Sequence, residues 1–353
     1  MSGEPYTNPG ANTSFLRDGI IHTGTQFAMV GTDSSLFRFL TSVQIRPVFI
    51  LFIALLSASL LAHAAPRQPS QPATGPGGST YGHAKLRESE HGTGGQRFWL
   101  FEPKDPAPKK APLILFLHGY SAMTPDPYRA WIAHLVRRGS VVVYPQYQKD
   151  LVTPPQEYRA NTAAAFRHAL EVLAEEGHVV PDLDRLAIVG HSAGGIGAAM
   201  YAAHAVEEKL PLPRAIMTVH AGQGPENGWQ LIPLDDLSTV PARTKVAVLV
   251  GTDDHFVGTR SSRKIWDGTK HVAESRFITL RSDAHGLPRI SPGHLAPLAA
   301  APSLANALDW FGYWRLFDDL CAAAFSDSPF DPSPAMGKWS DGAAVKPLLI
   351  ERR

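Results

Sequence analysis

The chain has 353 residues, of which 44% are hydrophobic and 18% charged, so it can bury a sizeable core. Its formal net charge is +1 and it has no basic run, which argues against a nucleic-acid partner or an acidic membrane surface. Cys321 is the only cysteine, which excludes an intramolecular disulfide and a cysteine-rich metal site.

An apolar stretch near the N-terminus, VFILFIALLSASLLA at residues 48–62, is typical of a secretory signal peptide. Its 15 residues are few for a membrane span, and Arg38 and Arg46 precede it. Ala62-His63-Ala64 follows as a small-x-small cleavage site. The alternative is an uncleaved membrane anchor.

These features predict a signal peptide over residues 29–64 and a mature chain that begins at Ala65. We expect a secreted or periplasmic protein with no stable membrane association after cleavage. Because Met29 would give an ordinary basic segment before the apolar core, residues 1–28 are interpreted as a possible over-long start.

The first segment of the mature chain, residues 65–80, is rich in Pro, Gly, Ser and Gln and predicts a flexible linker. An antiparallel pair follows, with AKLRESE and QRFWLFEP on either side of the turn HGTGG at residues 91–95.

Apolar runs then alternate with helical patterns. The runs are continuous rather than alternating, as in strands covered on both faces, and lie at residues 113–117, 141–144, 186–189, 215–219, 246–250 and 277–280. Helices are expected over residues 153–177 and 303–325. The pattern predicts an α/β domain over residues 81–325, with a doubly wound, mostly parallel sheet and an N-terminal hairpin. Residues 326–353 are expected to form an irregular tail.

The third apolar run ends in a motif that places a serine between two glycines, Gly190-His191-Ser192-Ala193-Gly194. Small residues at these positions permit the tight strand-to-helix turn called the nucleophile elbow, which exposes the serine hydroxyl. Ligands of such sheets bind at the carboxyl ends of the strands. Ser192 is therefore the candidate nucleophile.

The fifth and sixth runs end in an acid and a histidine, which completes the order Ser…Asp…His. A serine hydroxyl needs an imidazole to take its proton, and His285 is the candidate base. Asp254 is the candidate carboxylate that would orient this imidazole. Asp253 is the nearest rival for that role and Glu226 a more distant one.

Two backbone N–H groups are expected to form an oxyanion hole. One belongs to Ala193, the residue after the nucleophile, and the other to Tyr120, in the loop after the first central strand.

Side chains in other loops at this edge are candidate substrate contacts, each with plain packing as the alternative. They are Met123, His220, Trp229 and Phe256. The histidines show no HExxH or similar ligand spacing, and no phosphate-binding or dinucleotide motif is present. We therefore expect neither a metal nor a cofactor.

The motifs HGY at residues 118–120, GHSAGG at 190–195, GTDDHFV at 251–257 and HGLP at 285–288 resemble the α/β-hydrolase superfamily. Within it the chain is similar to secreted esterases of the dienelactone-hydrolase, cutinase and polyester-hydrolase type. The resemblance implies a cofactor-free serine esterase for small-molecule or polymeric esters. It also favours Asp254, the fourth residue of a G-x-x-D-x-x-V pattern.

Two departures from that group weigh against polyester activity. Ala193 stands where the polyester-active relatives usually have Met, and Cys321 has no partner for their C-terminal disulfide. A peptidase or acyltransferase using the same triad is the alternative enzyme. A non-catalytic binding protein is disfavoured, because serine, acid and histidine are all present.

Overall fold

The structure is a computed structural model that describes residues 65–225, 228 and 230–353. The expected signal peptide and the possible over-long start lie outside the described residues and stay predictions. Within the described part of the chain, no helix is long and apolar enough to cross a membrane.

Nine strands form one mixed sheet in the order β1-β2-β4-β3-β5-β6-β7-β8-β9. They are β1 Lys85–His91, β2 Phe98–Lys104, β3 Lys110–Leu117, β4 Val141–Pro145, β5 Val180–His191, β6 Ala215–Val219, β7 Lys245–Gly251, β8 Ser275–Leu280 and β9 Leu349–Arg352. Strands β4, β3, β5, β6, β7 and β8 run parallel to one another, whereas β1, β2 and β9 pair antiparallel at the two edges. The α/β class, the mostly parallel sheet and the N-terminal hairpin are confirmed.

In the described residues, five α-helices cover the two faces of the sheet. They are α1 Arg129–Arg137, α2 Tyr158–Leu173, α3 Ala193–His204, α4 Arg260–Gly268 and α5 Trp314–Phe325. Alternate residues of each central strand enter different core clusters, one with α2, α3 and α4 and the other with α1 and α5. This burial on both faces explains why the strands are continuously apolar.

Both predicted helices are shorter than expected. Pro154 and Pro155 lead into a 3₁₀ turn before α2, so the α-helix begins only at Tyr158. In the segment expected to be one helix over residues 303–325, a π-helical stretch, Leu308–Tyr313, precedes α5.

The expected flexible linker at residues 65–80 is bonded to the domain along its length. The Arg67 N–H donates to the Ser340 hydroxyl, the Leu287 N–H donates to the Pro66 carbonyl, and the Gly77 N–H donates to Asp318. The prediction of a flexible linker is wrong because it rests on the Pro and Gly content, and composition does not show contacts with distant residues.

The expected irregular tail at residues 326–353 contributes the last strand. Its segment β9 pairs antiparallel with β8, in the register Thr279 to Leu349. The domain boundaries expected at residues 81 and 325 are therefore too narrow, since residues on both sides belong to the same folded unit.

Candidate active site

Ser192 lies at the turn between β5 and α3, with a positive φ of 55°. A Cβ on Gly190 would lie 1.9 Å from the Gly194 carbonyl oxygen, and one on Gly194 would lie 2.2 Å from the Leu117 carbonyl oxygen. No side chain fits at such distances, so the close approach of the backbone requires glycine at both positions. The local structure is the strained turn that the glycine spacing predicts.

A single histidine bonds both Ser192 and Asp254, and it is His294. Its Nε2 lies 3.0 Å from the Ser192 Oγ, and its Nδ1 lies 2.9 Å from the Asp254 Oδ2. Both distances are those of hydrogen bonds, and only 9% of the histidine side chain is exposed. The structure thus joins serine, histidine and aspartate in one chain of hydrogen bonds.

His285, the histidine expected in this role, lies elsewhere. Its Nε2 bonds Asp341 at 2.8 Å, and 42% of its side chain is exposed. Both histidines follow β8, in a stretch without helix or strand that runs from residue 281 to the 3₁₀ turn at Pro302. The resemblance favours His285, because HGLP at residues 285–288 matches the family pattern. The available signal for the second was His294 directly after a Pro-Gly pair in the same loop.

Asp254 has a fully bonded carboxylate. Its Oδ1 accepts the N–H groups of Phe256 and Val257, both at 3.1 Å, while its Oδ2 faces His294 and His220. Burial alone would raise the pKa of Asp254, but the hydrogen bonds from the two imidazoles hold it well below its usual range. Asp254 is therefore an anion at neutral pH.

Asp253, the nearest rival for this role, and Asp283, an acid in the stretch after β8, bond partners other than His294. Asp253 pairs with Arg289 at 2.5 Å and bonds Ser291. Asp283 accepts the His285 N–H and the Trp339 ring N–H. Glu226 lies outside the described residues.

The loop after β3 packs directly on the nucleophile. A Cβ on Gly119 would lie 3.4 Å from the Ser192 Cβ, so the peptide groups that follow lie beside the serine. The Ala193 N–H is in the first turn of α3, where no intrahelical acceptor exists. Among the described residues, neither this N–H nor that of Tyr120 has a bonded acceptor. The oxyanion hole expected from these two N–H groups stays a prediction.

His220 is not a substrate contact. It directly follows β6 with none of its surface exposed, and its ring lies between Asp254 and Tyr313. The sequence interpretation of His220 as a lining residue is wrong because the ring points into the protein behind Asp254.

The remaining substrate candidates differ in position. Phe256 is 82% exposed, and its ring centroid lies 5.0 Å from that of His294, so it flanks the site. Met123 is half-buried in the loop after β3. Trp229 lies outside the described residues.

Three ligand-type side chains meet in the described part of the chain: His220, Asp254 and His294 have one donor atom each within 4.8 Å of one another. Hydrogen bonds from both Nδ1 atoms to the Asp254 Oδ2 account for this proximity. A cation could bind there only after both Nδ1 protons had left, and it would take from His294 the bond that orients it toward Ser192.

Residues 88–252, just under half of the chain, match the family model described as chlorophyllase. The protein has an α/β-hydrolase-like fold. The match covers Ser192 with its strand and turn, extends through β7, and ends two residues before Asp254. It supports ester hydrolysis in general. The comparison with curated proteins gave no match. His294 lies beyond the matched residues, so its assignment rests on the geometry.

A cavity of about 280 Å³ in this hydrolase fold runs along α3, away from the nucleophile. On that helix its lining includes Ala193, Gly197 and Met200, which recur at helical spacing. Apolar side chains from other elements complete the wall, including Leu117, Ala163 and Ile232. An ion pair between Arg159 and Glu208 lies at the wall as well. Ala193, the residue after the nucleophile, thus lies at one part of a largely apolar wall, whereas Ser192 and His294 are not among the described residues that line the cavity.

Proposed function

We propose that the protein is a serine hydrolase that cleaves carboxylic esters through a covalent acyl-enzyme on Ser192. The observation that carries this proposal is the hydrogen-bonded chain of Ser192, His294 and Asp254 at the nucleophile elbow. The chlorophyllase family match supports ester hydrolysis in general. The three roles follow from the chemistry of each group.

In the first half-reaction, His294 Nε2 takes the proton from the Ser192 hydroxyl as Oγ bonds to the ester carbonyl carbon. Asp254, an anion, stabilises the imidazolium through the bond to His294 Nδ1. The carbonyl oxygen becomes an oxyanion that accepts the N–H groups of Ala193 and Tyr120. Collapse of this adduct breaks the bond to the alcohol oxygen, which receives the proton from His294.

The second half-reaction repeats these steps with water. His294 takes a proton from the water as its oxygen attacks the acyl carbon, and Ser192 leaves with that proton. The carboxylic acid and the free enzyme result, with no oxidant, reductant or metal required for the balance.

We place an apolar chain of the ester in the cavity along α3. Ala193 contributes both a wall of this cavity and an N–H next to the nucleophile, so a chain in the cavity can extend from a carbonyl held at Ser192. Each buried methylene contributes about 0.8 kcal/mol, which would favour esters with a longer chain over acetates.

A fluorophosphonate probe tests the nucleophile directly. The wild-type protein should gain one probe mass, and peptide mapping should place it on Ser192. Ser192→Ala should lose the label, whereas Ser282→Ala, a change after β8 at the same sheet edge, should keep it. Labelling of another serine, or none, would refute the proposed nucleophile.

Matched substrates separate ester hydrolysis from the alternatives. Hydrolysis of p-nitrophenyl butyrate without cleavage of the corresponding anilide supports an esterase. Faster anilide cleavage would indicate a peptidase, and acyl transfer to added alcohol in preference to water would indicate an acyltransferase. The expected export is tested by N-terminal sequencing of the exported protein, which should begin at Ala65.

A further inference from the structure

A second histidine is built into the site behind Asp254. His220 directly follows β6, its backbone has a φ of 50°, and its side chain is fully buried. Its Nδ1 lies 2.9 Å from the Asp254 Oδ2, the same oxygen that faces His294, and its Nε2 lies 3.0 Å from the Tyr313 hydroxyl. Neither of these hydrogen bonds involves Ser192.

The partners determine which way each hydrogen bond runs. Asp254 is an anion and can only accept, so the His220 Nδ1 carries a hydrogen. Burial lowers the pKa of His220 and keeps its ring neutral, which leaves the Nε2 as an acceptor. Burial also raises the pKa of Tyr313 well above its usual value, so the phenol donates. The chain therefore runs from Tyr313 through His220 to Asp254.

Tyr313 reaches His220 from an unusual stretch of backbone. It is the last residue of the π-helical segment Leu308–Tyr313, and α5 follows directly. A π-helical segment changes the direction of the side chains that follow it, and such segments are frequent at functional sites. Here the result is a fully buried phenol aimed at the His220 ring.

We propose that His220 is a positioning residue that acts through Asp254, with Tyr313 holding it in the required tautomer. This inference rests on the proposed function. His220 and His294 both donate to the Asp254 Oδ2, so the carboxylate is held in one orientation and its charge is shared between two donors. A carboxylate held in one orientation keeps its Oδ2 in place for the His294 Nδ1 while the imidazolium forms.

Among the described residues, Asp254, His191 and His220 are the titratable groups beside His294. Asp254 bonds it from the loop after β7. The buried rings of His191, at the end of β5, and His220, directly after β6, lie 5.0 and 6.1 Å away between centroids. Burial, together with the neighbouring His220 and His294, lowers the pKa of His191 to about 3, so it is neutral throughout the working range. The hydrogen bond from His220 to Asp254 is thus the contact that a substitution can remove without changing Asp254 or His294.

Two variants of His220 distinguish the effect of its hydrogen bond to Asp254 from the effect of its side-chain volume. Asn and Gly both accept a positive φ, so neither change strains the backbone. In His220→Asn the amide nitrogen lies near the position of Nδ1 and can still donate to Asp254, although it cannot reach Tyr313. His220→Gly removes the donor. Thermal unfolding shows whether each variant is folded before kinetics are compared.

The measurement is kcat and KM, determined separately, on p-nitrophenyl butyrate. In His220→Gly we expect kcat to fall about 10- to 100-fold with KM within about threefold, because Asp254 loses one of the donors that orient it. His220→Asn keeps that donor, so its kcat should fall by less than about fivefold. Equal losses of kcat in the two variants would overturn the proposal. An inactive wild-type protein would instead refute the esterase function itself.

A second measurement uses the wild-type protein and needs no variant to fold. Nitrogen-15 NMR of histidine-labelled protein should show His220 neutral with its hydrogen on Nδ1 from pH 7 to 9. A hydrogen on Nε2, or titration of this ring within that range, would overturn the proposal whatever the kinetics show.

Discussion

The Tyr128 hydroxyl lies 2.7 Å from the His191 Nδ1 and joins two loops of the active site. The Gly119 N–H donates to the Tyr128 oxygen at 2.9 Å, and the His191 Nε2 bonds the His294 carbonyl oxygen at 2.8 Å. Since His191 is neutral, its Nε2 carries the hydrogen and its Nδ1 accepts from the phenol. One buried chain therefore links the oxyanion loop to the backbone of His294.

Tyr128→Phe should weaken both stability and catalysis. The change leaves the Gly119 N–H and the His191 Nδ1 without their buried partner, which should lower the free energy of unfolding by about 1–3 kcal/mol. We expect kcat to fall with KM nearly unchanged, measured together with denaturant unfolding. Tyr81→Phe is the matched control, because it removes a tyrosine–histidine bond to His134 away from the site. Equal kcat in both variants would contradict the link.

The two adjacent aspartates should differ greatly in their effect on turnover. Asp254→Asn places an amide against His294 and favours the wrong imidazole tautomer, which in other triads costs about 10⁴ in turnover. Asp253→Asn only weakens contacts to Arg289 and Ser291 in the loop that leads to His294, so we expect a loss of at most about tenfold. Turnover of one soluble ester by both variants decides this, and the reverse ranking would contradict the assignment.

Filling the cavity along α3 should change which esters are preferred. Ala163→Leu adds an isopropyl group at its buried wall. Because one buried methylene is worth about a fourfold change in binding, kcat/KM for p-nitrophenyl decanoate should fall at least about tenfold, while acetate stays within about twofold. Val206→Leu, at an exposed position just beyond α3, is the control. A uniform loss at every chain length would show that the chain binds elsewhere.

Asp309 should make stability depend on pH. Burial raises its pKa to about 7, and among the described residues its Oδ1 has no hydrogen-bond partner. Between the usual aspartate pKa and about 7, the folded protein retains a proton that the unfolded chain has lost. The contribution of Asp309 to the free energy of unfolding therefore decreases as pH rises through this window.

Asp309→Asn removes that titration and keeps an oxygen for the Asn306 N–H, which now bonds the carboxyl at 2.8 Å. We expect the Tm gain of the variant to be larger at pH 8 than at pH 5, by calorimetry at both values. Asp184→Asn at an exposed position should show no such difference. A gain independent of pH would contradict the account of Asp309.

Much of the fold and part of the site could be predicted from the sequence, because they follow from local patterns. All six apolar runs lie within strands, and the glycines around Ser192 predict a turn that only glycine permits. The choice of Asp254 over Asp253 rests on the resemblance, through the G-x-x-D-x-x-V pattern at residues 251–257. In each case, a few neighbouring residues determine the backbone.

What could not be predicted depends on contacts between distant segments. His285 and His294 lie in the same irregular stretch after β8, and the path of that stretch depends on partners such as Pro66 and Asp253. Strand β9 pairs only because the tail returns to the sheet edge. His220 was a candidate pocket residue because the residues around it in the sequence do not indicate its bond to Tyr313, which lies 93 positions away.

The central claim is that Ser192 is activated by His294 and not by His285. The direct measurement compares kcat/KM of His294→Gln and His285→Gln on p-nitrophenyl butyrate, with folding checked by thermal unfolding. We predict that His294→Gln loses at least about 10³-fold, since the general base is gone, whereas His285→Gln stays within about threefold because that ring only bonds Asp341 at the surface. Near-wild-type activity of folded His294→Gln, or a thousandfold loss in His285→Gln, would contradict the account.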